Sequence, residues 1–245
     1  MANITEVPVT YKDAGGAALQ GFVTFDEARQ GKRPGIVVLH EWWGITPHAR
    51  DEARYLAGLG YTAFVADLYA GKTADNPTDA GGLMNGLFGT EGLVKTRFDA
   101  ALEELSRHAT VDTARLGAAG YCMGGAIALA MARAGADLEA VATFHAANLA
   151  AGAPAKAGQI KGKVLVLNGA DDPFVKPESI TAFKQEMDAA GVTYKLVNYA
   201  GAVHAFTNPA ATERGEKYNL PLRYDAAVDR QSKAEAAKWF ADAFG

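Results

Sequence analysis

The only cysteine of this 245-residue chain lies within Gly120-Tyr121-Cys122-Met123-Gly124-Gly125. This segment has the pattern Gly-x-nucleophile-x-Gly, with cysteine in the nucleophile position, between an apolar run and an alanine-rich run. A strand that turns this tightly into a helix strains its nucleophile, and larger side chains two positions away would collide. The start of the helix also favours a thiolate or an oxyanion. The pattern therefore predicts a reactive thiol, although an isolated cysteine is more often buried and inert.

A thiol on such a turn needs an imidazole base that is oriented by a carboxylate. In this architecture the three groups follow the chain order nucleophile, acid, histidine. Asp171 and Asp172 come just after one predicted strand, and His204 follows the next. We prefer Asp172 as the acid because it directly precedes Pro-Phe-Val. We expect Asp171 to be a turn residue. Whether Asp171 takes the acid role in place of Asp172 is left open. The predicted catalytic residues are Cys122, His204 and Asp172.

The segment His40-Glu41-Trp42-Trp43-Gly44 follows the first long apolar run. This is where the architecture supplies the second backbone donor of an oxyanion hole, so the N–H groups of Trp42 and Met123 are the predicted donors. Losing one such donor typically costs about 10²–10³ in rate. Glu41 is unexpected here, because a carboxylate beside a thiol raises the pKa of that thiol.

The remaining histidines divide by position. His48 is predicted to open a helix and His108 to lie near a helix end, and both are interpreted as structural. His40 and His145 follow strand ends, where a pocket forms. The tryptophan pair is equally compatible with the core, but we expect at least one ring to line the site. The predicted substrate pocket contains Trp43, His145 and Phe206.

Strands and helices alternate along the chain, which predicts an α/β fold with a mostly parallel central sheet flanked by helices on both faces. Segment 67–90 is predicted to be an irregular excursion that shapes the pocket. No linker or repeat interrupts the pattern, so residues 1–245 are predicted to form a single domain. The predicted strands are 7–11, 19–24, 36–40, 61–66, 116–121, 140–144, 164–167 and 194–199, and the predicted helices are 48–59, 91–109, 124–134, 177–190 and 224–244.

Composition restricts the partners. The chain has 24 basic and 28 acidic residues without a basic cluster, so nucleic acid is not an expected partner. The N-terminal residues lack the pattern of a secretory signal, and the most apolar run, 118–132, is too short to cross a bilayer. A lone cysteine gives no reason to expect an oxidising compartment. We expect a cytoplasmic monomer or small homo-oligomer that binds a small molecule, without membrane, metal or cofactor.

Four separated motifs carry a resemblance to a known family. They are residues 40–44, residues 120–125, Gly-Ala-Asp-Asp-Pro-Phe-Val at 169–175 and His-Ala-Phe at 204–206. With them the chain resembles the dienelactone hydrolase family, the carboxymethylenebutenolidase-like members of the α/β-hydrolases. The resemblance implies a Cys-His-Asp triad that hydrolyses esters or lactones. It also implies that Glu41 takes the proton of a neutral resting thiol when substrate binds.

The motifs depart from the family at one point. Members that act on dienelactone carry arginines that hold its carboxylate, one shortly after the catalytic histidine and one in the excursion. Here Ala205-Phe206-Thr207-Asn208-Pro209 follows His204, and residues 67–91 contain Lys72 but no arginine. The ester or lactone is therefore left open. The alternatives are a thioesterase or acyltransferase with the same triad, or a thiol-sensing protein without catalysis.

Overall fold

The computed structural model describes residues 2–245, which divide into two compact units, one ending at Ala118 and the other running from Ala119 to Gly245. The division falls inside a strand, β5 (Val111–Tyr121), which begins in the first unit and ends in the second. Both units contain strands and helices, and each contains at least one pair of parallel strands.

The first unit contains a mostly apolar strand, residues 33–39, whose residues are all buried. It contains β1 (Ile4–Lys12), β2 (Ala18–Asp26), β3 (Arg33–Leu39), α1 (Pro47–Gly58), β4 (Thr62–Ala66), α2 (Pro77–Gly89) and α3 (Leu93–Arg107). The strands lie in the order β1-β2-β4-β3-β5, with β3 and β4 parallel and β1 and β2 antiparallel. Burial of β3 on both faces explains its continuous run of aliphatic side chains.

The second unit continues from the end of β5 with parallel strands in the order β5-β6-β7-β8. It contains α4 (Met123–Arg133), β6 (Ala140–Phe144), β7 (Lys163–Gly169), α5 (Pro177–Ala190), β8 (Tyr194–Tyr199), α6 (Ala211–Tyr218) and α7 (Ala226–Phe244). Helix α4 packs on β6, and α7 packs on β6 and β7. The carboxyl ends of these parallel strands therefore present their following loops along one edge.

Two helices were not expected from the sequence. The excursion predicted at 67–90 contains α2, whose N-terminus is capped by Asn76 accepting a hydrogen bond from the N–H of Asp79 at 3.0 Å. Helix α6 is short and contains Gly215, where an added Cβ would lie 2.3 Å from the carbonyl oxygen of Leu222. The prediction of an irregular segment was wrong for residues 77–89, which form α2, while residues 67–76 contain neither helix nor strand. The predicted strands and the other helices are present with bounds shifted by a few residues.

No helix in residues 2–245 combines the length and the apolar character that crossing a bilayer requires.

Candidate active site

Cys122 lies between β5 and α4 in a strained backbone conformation, with φ 54° and ψ −116°. Its N–H donates to the carbonyl oxygen of Phe144 at 3.0 Å, and its own carbonyl accepts from two N–H groups in the first turn of α4. A Cβ on Gly120 would lie 2.3 Å from the carbonyl oxygen of Gly124, and one on Gly125 would lie 2.7 Å from the Cβ of Ala146. The clash predicted for a side chain two positions before the nucleophile is thus confirmed at Gly120, and Gly125 is confined in addition by Ala146.

Cys122, His204 and Asp172 form a continuous polar chain within the second unit. The Nε2 atom of His204 is 3.0 Å from Sγ of Cys122, and its Nδ1 is 2.8 Å from Oδ2 of Asp172. Asp172 and His204 are buried, with 3% of each residue exposed, while Cys122 is partly exposed. Since a carboxylate can only accept, Nδ1 carries the hydrogen and Nε2 faces the sulfur.

The charge state of His204 depends on both of its neighbours. Burial lowers the pKa of the imidazole, but the thiolate form of Cys122 and the bond to Asp172 outweigh this effect and raise the pKa to about 10. An imidazolium is therefore stable here when it lies between a thiolate and a carboxylate. The arrangement can hold the separated charges that proton transfer from sulfur to nitrogen produces.

Asp172 rather than Asp171 reaches the imidazole. The second carboxylate oxygen of Asp172 accepts the N–H of Phe174 at 2.8 Å, which fixes the side chain in a local turn. Asp171 is exposed, and its N–H donates to the carbonyl oxygen of Ala202 at 3.0 Å. Phe174, which the sequence analysis did not single out, remains 43% exposed and meets the His204 ring edge-on at a centroid distance of 4.9 Å.

His145 and Phe206 pack behind the His204 ring. Both are fully buried, and the edge-to-face centroid distances are 5.3 Å from His145 to His204 and 5.1 Å from His145 to Phe206. The Nε2 atom of His145 is 2.8 Å from the hydroxyl of Thr207. Neither ring is exposed, and His145 packs against the imidazole and against Phe206. Their place in the substrate pocket stays a prediction.

In the first unit, Glu41 to Gly44 form a tight turn directly after β3. The Gly44 N–H donates to the carbonyl oxygen of Glu41 at 3.2 Å, and Gly44 adopts φ +88° with no room for a Cβ, which would lie 2.7 Å from the carbonyl oxygen of Lys72. His40 Nδ1 lies 2.6 Å from the same Glu41 oxygen, and its Nε2 accepts the Leu68 N–H at 3.4 Å. These contacts make His40 an Nδ1–H donor, and burial lowers its pKa.

These bonds also orient the N–H of Trp42, because the Glu41 carbonyl and the Trp42 N–H belong to one planar peptide unit. The two tryptophan rings lie at a centroid distance of 4.7 Å. Trp43 is buried, with 2% exposed, and its carbonyl accepts the N–H of Ala74 at 2.9 Å, whereas Trp42 is partly exposed. Of the pair, the structure therefore leaves Trp42 rather than Trp43 accessible.

Comparison with known proteins identifies the family. The dienelactone hydrolase family model matches residues 19–244. The chain belongs to the dienelactone hydrolase family. It is accordingly a hydrolase that acts on ester or lactone bonds, as the sequence predicted.

Individual relatives cover most or all of the chain. Protein usf of Aquifex pyrophilus is 31% identical over 180 residues, which are 71% of this chain and 77% of that protein. The crystal structure of a dienelactone hydrolase-like promiscuous phosphotriesterase from metagenomic libraries is 34% identical with a TM-score of 0.90, and covers 100% of both chains. The solved structure named m3DLH is 38% identical with a TM-score of 0.90, and covers 99% of both chains. These likenesses confirm the predicted α/β-hydrolase fold.

One further group in this dienelactone hydrolase family member was not found from the sequence. His48, which the sequence analysis interpreted as structural, lies between two carboxylates within the first unit. Its Nδ1 is 3.6 Å from Oε2 of Glu41 and its Nε2 is 3.3 Å from Oε1 of Glu52, and all three side chains are at most 4% exposed. The i,i+4 spacing of His48 and Glu52 on one helix was the available signal.

Proposed function

We propose that this protein hydrolyses small carboxylic esters or lactones through an acyl-enzyme on Cys122. The observation that carries the proposal is the polar chain in which His204 lies 3.0 Å from the sulfur and 2.8 Å from the Asp172 carboxylate. The strained turn at Cys122 adds to it, because such strain is typical of an exposed nucleophile held at the end of a strand.

In the acylation step, the Cys122 thiolate attacks the carbonyl carbon of the substrate, and the carbonyl oxygen becomes negative. We propose that the backbone N–H groups of Met123 and Trp42 stabilise this oxygen. The intermediate then expels the alcohol oxygen, which takes up the proton that left the Cys122 thiol. The C–O bond of the ester is broken, and a thioester to Cys122 takes its place.

Deacylation uses the same groups in the reverse sense. Neutral His204, oriented by Asp172, takes a proton from water while the water oxygen attacks the thioester carbon. Collapse of the second intermediate releases the carboxylic acid, and the sulfur regains a proton from the His204 imidazolium. We further propose, from the family resemblance, that Glu41 receives the thiol proton when substrate binds, so that the resting thiol is protected from other electrophiles.

The substrate is proposed only to the level of a class. The arginines that hold a carboxylate in dienelactone-cleaving relatives have no counterpart at the matching segments, which favours esters or lactones without that charge. Phosphotriesters are a second candidate class, because the relative from metagenomic libraries is a promiscuous phosphotriesterase and matches the whole chain. The comparisons do not favour the thioesterase, acyltransferase or thiol-sensing alternatives.

Trapping the acyl-enzyme tests the proposal. The protein is mixed with p-nitrophenyl acetate or with uncharged lactones, quenched in acid, and examined by intact-protein and peptide mass spectrometry. We expect one acyl group on the peptide that contains Cys122, no adduct in Cys122→Ala, and the same melting temperature for both proteins. An adduct on another residue, or full hydrolysis by Cys122→Ala, contradicts the mechanism, and phosphotriester turnover is measured on the same pair.

A further inference from the structure

The Glu41, His48 and Glu52 side chains form a buried charge cluster within the first unit, which we call the Glu41 cluster. The imidazole lies between the two carboxylates, at 3.6 Å from Glu41 and 3.3 Å from Glu52, and the three side chains are 2–4% exposed. Burying ionised groups is costly unless they are paired, and the imidazole between the two carboxylates provides such pairing. A role limited to packing could be filled by apolar side chains of the same size.

The charge of the cluster follows from its geometry. Burial lowers the pKa of His48, but the two carboxylates outweigh burial and raise the pKa to about 10. The imidazole is therefore an imidazolium at neutral pH, and the cluster holds one positive and two negative charges. An imidazolium facing Glu41 alone would make that carboxylate a weak base, and Glu52 offsets this effect by sharing the positive charge.

The neighbouring charged groups are directed elsewhere. Arg50 and Arg54 of α1 pair with Glu6 of β1. On the β3 side, His40 donates to the Glu41 carbonyl and burial lowers its pKa, so it adds no positive charge. The Asp67 carboxylate after β4 accepts backbone N–H groups of Gln20 and Tyr69, each at 2.8 Å. These groups therefore make contacts of their own, and the ion pairs described for the Glu41 cluster are those of His48 with Glu41 and with Glu52.

We propose that His48 and Glu52 are positioning residues that keep the Glu41 carboxylate ionised, yet basic enough to accept a proton from the thiol nucleophile. The inference rests on the proposed function, in which Glu41 takes that proton. In the step, the S–H bond of Cys122 breaks, its electron pair stays on sulfur, and an O–H bond forms on Glu41. His48 keeps its proton throughout, so the cluster changes from net negative to neutral.

The pH dependence of kcat/KM separates this role from simple packing. In His48→Gln, Glu41 loses its cation inside the protein and takes up a proton at higher pH, so we expect the acid limb to move up by about 1–3 pH units. In Glu52→Gln, the imidazolium loses one of its two carboxylates and acts more strongly on Glu41, and we expect the acid limb to move down by about one pH unit with a lower plateau. The proposal is overturned if the acid limbs of the two variants move in the same direction, or if either variant loses kcat/KM equally at every pH.

A second measurement does not depend on activity or on the folding of a His48 variant. The full chain with Cys122→Ala is labelled with ¹³C and ¹⁵N in histidine, and the His48 ring is titrated by NMR with and without Glu52→Gln. We expect an imidazolium from pH 6 to above pH 9 in the first protein and deprotonation at lower pH in the second. Deprotonation of His48 near its ordinary value overturns the inference, whereas full ester hydrolysis by Cys122→Ala would overturn the proposed function instead.

Discussion

Two buried imidazoles in this protein have nearly the same electrostatic surroundings but lie in different backbone settings, one after a strand and one on a helix. His204 lies between Cys122 and Asp172 in the second unit, and His48 lies between Glu41 and Glu52 in the first. In both, burial lowers the pKa, and the anionic neighbours raise it to about 10. The pKa alone therefore does not distinguish a reacting histidine from one that fixes charge.

The difference lies in what the second partner can do and where it is held. Cys122 is partly exposed at a strand end, in a strained conformation with positive φ, and a thiolate there can leave its imidazolium to attack a substrate. The carboxylates around His48 are buried, and Glu52 lies on the same regular helix as the imidazole. Access and backbone strain, rather than the ion pair, mark the candidate nucleophile.

The largest expected difference between the regions comes from changing one carboxylate to an amide in each. Asp172→Asn removes the acceptor that holds the His204 Nδ1–H, and we expect kcat to fall about 10⁴-fold. Glu52→Gln is the matched change beside His48, and we expect less than about a tenfold loss at its pH optimum, because His48 does not meet the substrate in the proposed mechanism. Steady-state ester hydrolysis across pH measures both.

Equal losses in the two variants would mean that the regions act as one catalytic unit. A loss of folding would be mistaken for a loss of catalysis, so melting temperatures are compared for both proteins. The expected result is a similar small change in melting temperature with very different rates.

Backbone strain predicts the next largest effect. Gly120→Ala places a Cβ 2.3 Å from the Gly124 carbonyl oxygen, whereas nothing lies within 4 Å of a Cβ on Gly58, at the end of the helix that carries His48. We expect Gly120→Ala to lower the free energy of unfolding by about 3 kcal/mol or more, and Gly58→Ala to be neutral or to raise it by about 0.5–1 kcal/mol. Urea denaturation measures the difference, and equal stability of the two variants would contradict it.

The raised pKa of His48 predicts a pH-dependent stability. A group whose pKa is raised on folding stabilises the protein fully below its unfolded value, near 6.5, and loses that contribution as pH rises toward the folded value of about 10. We expect the free energy of unfolding to fall between pH 6 and 10 by at least about 1.4 kcal/mol less in His48→Gln than in the protein that keeps His48. This difference corresponds to one pKa unit. Unfolding is followed from pH 6 to 10 in a Cys122→Ala background, where the coupled titration of Cys122 and His204 does not contribute, and an unchanged slope would contradict the prediction.

The sequence contained local signals for the strands and for the elbow, so these could be predicted. Apolar β-branched runs such as 36–39 mark strands that are buried on both faces, and Gly-x-Cys-x-Gly marks the turn at Cys122. Helix α2 was missed because four glycines, each unfavourable in a helix interior, hide its periodicity. Its N-terminal signal, Asn76 followed by Pro77 and Asp79, was present but was outweighed.

The Glu41 cluster and the contact of Phe174 with His204 depend on tertiary packing. The i,i+4 spacing of His48 and Glu52 is visible in the sequence, but nothing local places the imidazole against the Glu41 carboxylate. For the same reason, burial of His145 and Phe206 behind the imidazole could not be read from their positions after strand ends. The chain order of the candidate triad follows from connectivity, so the sequence could indicate that Cys122, Asp172 and His204 come together, as the distances show.

The smallest expected effect concerns two exposed aromatic rings, one beside His204 in the second unit and one in the first unit. Phe174 is 43% exposed and contacts the His204 ring edge-on, while Phe88 on α2 is 51% exposed in the first unit. Since an edge-to-face aromatic pair contributes about 0.5–1.5 kcal/mol, we expect Phe174→Ala to lower kcat/KM roughly 2- to 12-fold. Phe88→Ala is the matched control and should leave kcat/KM unchanged. If Phe174→Ala changes only KM, the ring contacts substrate rather than holding the imidazole, whereas a lower kcat with an altered His204 titration indicates that it positions the base.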